Sequence, residues 1–138
     1  MKMNQFIGKS QLSAIGSACR GEEGKHFLDM VAKMQIHIAT MPKSYETDGQ
    51  GDEAIAQLHY FNGGSDWYIT EKDAGSPDDE ERGVQAQAFG FACLGDDENA
   101  EMGHIHIQAL IENGVELDLY YTPETIGTIK ARLAKRAA

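Results

Sequence analysis

The feature that most constrains this chain is a pair of β-prone runs joined by Asn62-Gly63-Gly64-Ser65. Residues 55–61 end in Leu58-His59-Tyr60-Phe61, and Asp66-Trp67-Tyr68-Ile69-Thr70-Glu71-Lys72-Asp73 follows the turn. Aromatic and β-branched residues fit a pleated surface, and Asn-Gly-Gly tolerates the positive φ that a tight hairpin loop needs. An antiparallel hairpin over 58–73 is therefore the centre about which the rest must be arranged.

Around it the patterning alternates between helix and strand. Ser10 as an N-cap with Leu12 and Ile15 predicts a short helix, which the glycines at 21 and 24 break. Phe27, Leu28, Val31, Met34 and Ile38 then recur at helical spacing as one apolar stripe. Residues 42–53 are polar and Gly/Asp-rich, which predicts a loop. Residues 85–94 place Phe89, Phe91 and Cys93 on one face and Ala86, Ala88, Gly90 and Ala92 on the other, the pattern of a central strand whose small face lets a helix approach. His104-Ile105-His106 reads as a short extended piece, and residues 107–112 as a helical turn. Residues 115–121 alternate as a one-sided strand, with Leu117, Leu119 and Tyr121 inward. Thr122 as N-cap and Pro123 at the first helical position predict a last helix burying Ile126, Ile129 and Leu133, with Lys130, Arg132, Lys135 and Arg136 suited to the negative end of its dipole.

The expectation is an α+β fold: an antiparallel sheet of about four strands packed by N-terminal and C-terminal helices. A chain of 138 residues with 41% hydrophobic content supports one core. Residues 1–138 are thus read as a single domain, with a helical segment over 1–40, an α+β core over 41–126 and a C-terminal helix over 122–138. No apolar run is long enough to cross a bilayer and the N-terminus does not read as a signal peptide, so a cytoplasmic protein with no membrane partner is expected. Cys19 and Cys93 lack metal or redox spacing and read as buried free thiols.

Charge is strongly segregated. Residues 1–40 carry 5 basic and 3 acidic side chains, residues 41–121 carry 3 and 18, and residues 122–138 carry 4 and 1, within a net charge of −10. The middle of the chain repels nucleic acid and anionic membrane, so no direct nucleic-acid binding is expected, and a protein partner with a basic surface suits it. The acidic runs Asp78-Asp79-Glu80-Glu81 and Asp96-Asp97-Glu98, with Asp48, Asp52, Glu53 and Glu101, are candidates for one continuous negative docking face. The plainer reading of such runs is solvated loops.

Five segments taken in order resemble a small family of bacterial and mobile-element proteins, the domain of unknown function 2958 family. They are Met41-Pro42-Lys43-Ser44-Tyr45-Glu46-Thr47-Asp48-Gly49; Leu58-His59-Tyr60-Phe61; Asp66-Trp67-Tyr68-Ile69-Thr70-Glu71; Ala88-Phe89-Gly90; and Glu101-Met102-Gly103-His104-Ile105 with Glu116-Leu117-Asp118-Leu119-Tyr120-Tyr121. The likeness covers about residues 41–126. It implies a compact α+β fold and a plasmid or phage neighbourhood, where genes that counter host defences are common.

Glu71 and Asp118 match that pattern within strands. Were they to meet on one face with Trp67 and Tyr120, they could act as an acid/base pair or hold a divalent ion in a small metal-assisted hydrolase or nucleotide-binding enzyme. The competing reading is a carboxylate that accepts hydrogen bonds from a loop. His104 and His106, two apart on a strand, would share a face as some metal ligands do, with His59 or His37 needed to complete a site. The aromatics of the hairpin, with only Lys72 near, read as cross-strand packing rather than a base-stacking platform. The leading expectation is a non-enzymatic acidic binding protein with no cofactor; a third reading is a homodimer through Met30, Met34 and Ile38.

Overall fold

The computed structural model of the chain describes residues 3–74, 85–95 and 100–137. Its elements are α1 (Lys9–Cys19), α2 (Gly24–Thr40), β1 (Ile55–Ala56), β2 (Leu58–Asn62), β3 (Ser65–Glu71), β4 (Ala88–Leu94), β5 (Glu101–Ile105), α3 (Ile107–Glu112), β6 (Glu116–Leu117), β7 (Glu124–Thr125) and α4 (Ile126–Ala137). The fold is α+β. Five strands in the order β5-β4-β3-β2-β6 pair antiparallel throughout, and β1 with β7 makes a separate two-stranded ribbon.

The β2–β3 hairpin is central, as its residues dictate. Asn62 pairs with Ser65 across Gly63-Gly64, and Gly63 takes φ +57°, which a side chain would resist. Strand periodicity then sorts every residue between two faces. Leu58, Tyr60 and Ile69 point with Trp67 toward the N-terminal helices, joining Phe6, Ile7, Met34, Ile38, Ile105 and Leu117 in one core. Tyr68, Phe91 and Cys93 point the other way and pack under Ile126, Ile129 and Leu133 of α4.

Several expectations change. The run 55–61 is interrupted at Gln57: its N–H still bonds Ile69 O of β3, but β1 before it pairs with β7. Gly90 makes room for a backbone, not a helix: a Cβ there would lie 1.9 Å from Tyr68 O, where the β3–β4 register shifts between Ile69 and Glu71. The strand expected over 115–121 stops at Leu117, because Asp118 turns and its Oδ1 accepts from Tyr120 N. The last helix begins at Ile126 rather than after Thr122, and its cap is Thr125, whose Oγ1 accepts from Thr128 N. Helix α1 is preceded by Gly8 rather than capped by Ser10. On the α2 stripe Met34 and Ile38 are buried in the core, which removes them from a dimer surface, while Leu28 is exposed. Cys93 is buried and Cys19 only half-buried.

Candidate functional site

The face under α4 carries the polar chemistry. A helix of 12 residues covers the middle of the sheet and leaves both flanks to other groups. On the β2 flank, His59 lies between two carboxylates, Nε2 2.7 Å from Asp66 Oδ1 and Nδ1 3.1 Å from Asp118 Oδ2. A carboxylate only accepts, so the ring satisfies both contacts as hydrogen bonds when both nitrogens carry protons. The ring stacks on Tyr68 at 4.7 Å and meets Tyr121 at 5.4 Å. Burial pushes the Tyr68 hydroxyl above its ordinary pKa, with Arg132 acting in the opposite sense. Burial, reinforced by the Glu124 carboxylate, raises Tyr121 as well. Glu124 in turn holds Arg132 through both oxygens.

On the β4–β5 flank lies a cleft of about 440 Å³. It is lined by Phe89, Met102 and Ala54, by Glu71, Gln87 and His104 of the sheet side, and by Ser44, Tyr45, Thr47 and Asp48 of the loop. The loop is built onto the end of β3. Lys72 N donates to Pro42 O, Ala74 N to Ser44 Oγ, Tyr45 N to Glu71 Oε1 at 2.8 Å and Thr47 N to Glu71 Oε2 at 2.9 Å, with the Thr47 hydroxyl also donating to Glu71. Lys72 ties the same corner to the last turn of α2 by donating to Ile38 O and Ala39 O. Desolvation, with Lys43 nearby, holds the Lys72 ammonium below the usual lysine range.

This geometry assigns Glu71 a job. Buried and with both oxygens occupied by loop donors, it is the post on which residues 43–48 hang. Asp118 serves His59 instead. The two carboxylates project from the same side of the sheet but share no partner, and Trp67 packs on the opposite side with the N-terminal helices. Tyr120 is 68% exposed and stacks on His26 at 6.3 Å. His104 meets Phe89 edge-on at the cleft, whereas His106 lies beyond the end of β5, where its Nδ1 caps α3 by accepting from Ala109 N. They therefore do not share a strand face, and among the described residues no group of three His, Cys, Asp or Glu side chains is placed to hold a metal ion. Asp78, Asp79, Glu80, Glu81, Asp96, Asp97 and Glu98 lie outside the described residues.

The cleft escaped the sequence reading, which weighed Glu71 and His104 separately and passed over Tyr45. One signal was available. Most of the lining comes from segments already singled out, those around Tyr45, Glu71, Phe89 and Met102, which the fold gathers at one end of the sheet. Comparison of the chain with protein-family models, curated proteins and solved structures finds no match, so the likeness drawn above rests on its five segments.

Proposed function

We propose that the chain is a non-enzymatic binding protein of a mobile element that docks through a negative face on a basic partner protein, such as a nucleic-acid-binding component of a host defence system. The charge imbalance of residues 41–121, with 18 acidic side chains against 3 basic, carries this reading. An excess of that size steers a basic partner to the surface and disfavours nucleic acid itself. Among the described residues, Asp48, Glu53 and Glu101 supply exposed carboxylates, while Asp52 is drawn into an ion pair with Lys130 at 2.7 Å. No helix among the described residues is long and apolar enough to cross a membrane. The alternative, a metal-assisted hydrolase using Glu71 and Asp118, requires both carboxylates at one ion, and each is committed to a different set of partners.

The test is capture of partners by the full chain, followed by cross-linking and a salt series. Basic partners that release between about 0.05 and 0.5 M salt, as screening shortens the Debye length, support the reading. Acidic partners, or binding indifferent to salt, contradict it.

A further inference from the structure

Resting on that reading, we propose that the cleft beside Glu71 is the socket for an arginine side chain of the basic partner. The argument begins with charge. Asp48 and Glu71 both line the cleft, and no Lys or Arg does among the described residues. The Glu71 carboxylate is held by backbone and hydroxyl donors, and among the described residues no Lys or Arg pairs with it. The Asp48 carboxylate is exposed at the rim.

Shape and surface then select among cations. Phe89, Met102 and Ala54 give the cleft an apolar part of its lining, which suits a hydrocarbon stem better than a small hydrated ion. Tyr45 also lines the cleft; the residue is 76% exposed and its backbone takes φ +69°. A bulky residue in that conformation is unusual where glycine or asparagine would be at ease, and its exposed ring gains nothing from the protein's own core. A guanidinium is planar, stacks on aromatic faces and pairs with a carboxylate through two parallel bonds, whereas an ammonium is a hydrated point charge. Asp48 and Tyr45, which line the cleft together with Phe89, offer both interactions to one arginine.

The experiment titrates the full-length protein with a capped arginine-rich peptide and with matched lysine and citrulline peptides, followed by amide NMR shifts and calorimetry. The arginine peptide should shift resonances of residues 44–51, Phe89 and Met102. It should bind about tenfold more tightly than the citrulline peptide, the difference a charge-assisted pair supplies. Asp48→Asn and Tyr45→Gly should each weaken it about three- to tenfold, by loss of the ion pair and of ring stacking. Glu112→Gln, a carboxylate on α3 away from the cleft, should leave the affinity unchanged. Equal affinity for arginine and citrulline peptides, or no effect of Asp48→Asn and Tyr45→Gly, overturns the socket. If salt-sensitive binding of the basic peptides persists with shifts elsewhere, the socket alone falls and the acidic docking face stands; if neither basic peptide binds, both fall.

Discussion

The two faces of the sheet solve different problems. Toward α1, α2 and α3 the core is almost wholly apolar, and the Tyr60 hydroxyl, fully buried, is satisfied by donating to Phe6 O. Toward α4 a smaller apolar core is flanked by an aspartate–histidine–aspartate cluster on one side and an open cleft on the other. Both faces grow from the same strands, so the difference lies in what covers them. Among the described residues three helices cover one face, while a single helix leaves room on the other for the polar cluster and the cleft. The molecule thus separates a sealed apolar face from a face that carries its polar cluster and its cleft.

The largest effect should come where the faces share a strand. Gly90→Ala drives a Cβ against Tyr68 O and Ile69 Cα, atoms of the β3 backbone that cannot rotate away. Urea unfolding followed by Trp67 fluorescence should show a loss above about 4 kcal/mol, the range reserved for severe steric insults. His59→Ala removes the ring that contacts both Asp66 and Asp118 and leaves two half-buried carboxylates near each other. The same assay should register a loss of about 2–3 kcal/mol, and Asp66→Asn made in that background should recover part of it.

Tyr60 gives the sealed face a pH signature. Burial raises its pKa above the ordinary 10.0, so the folded hydroxyl stays protonated while the unfolded one ionises. The folded state then binds the extra proton, and this stabilisation is complete below pH 10.0 and is lost as pH rises above it. Tyr60→Phe should cost about 1 kcal/mol at neutral pH through the lost hydrogen bond, and its stability should fall less steeply above pH 10 in alkaline unfolding curves. The smallest change sharpens the contrast from the other side. Tyr45→Gly relieves a positive φ and should raise stability by up to about 1 kcal/mol in thermal melts. On the sealed face no such truncation of a large side chain should stabilise.

Much of the fold was legible in the sequence because two-residue and helical periodicities report burial directly. The hairpin, the strand through Phe91, the Met34 and Ile38 part of the α2 stripe and the buried trio Ile126, Ile129 and Leu133 follow from it, whereas Leu28 of that stripe is exposed. What escaped depends on long-range geometry. Nothing local at Gln57 marks the place where β1 departs, and the need for Gly90 is visible only when Tyr68 O is opposite. The site shows the same division. Glu71 stood out as a strand carboxylate that fits the family resemblance, but its partners Tyr45 and Thr47 lie 26 and 24 residues away, so its anchoring role emerges only once the loop is folded back. His106 could be read as a ligand on a strand because a histidine that caps a helix has no distinguishing spacing.

The separation of the two faces is tested most directly by amide hydrogen exchange in Glu71→Gln. With the anchor weakened, Tyr45 and Thr47 should exchange faster by about 10- to 100-fold, the worth of one or two hydrogen bonds to a carboxylate, while Leu58, Tyr60 and Ile69 keep their protection. Equal loss of protection at Leu58, Tyr60 and Ile69 would mean that the loop is part of the core, and that the cleft is not a separable recognition site.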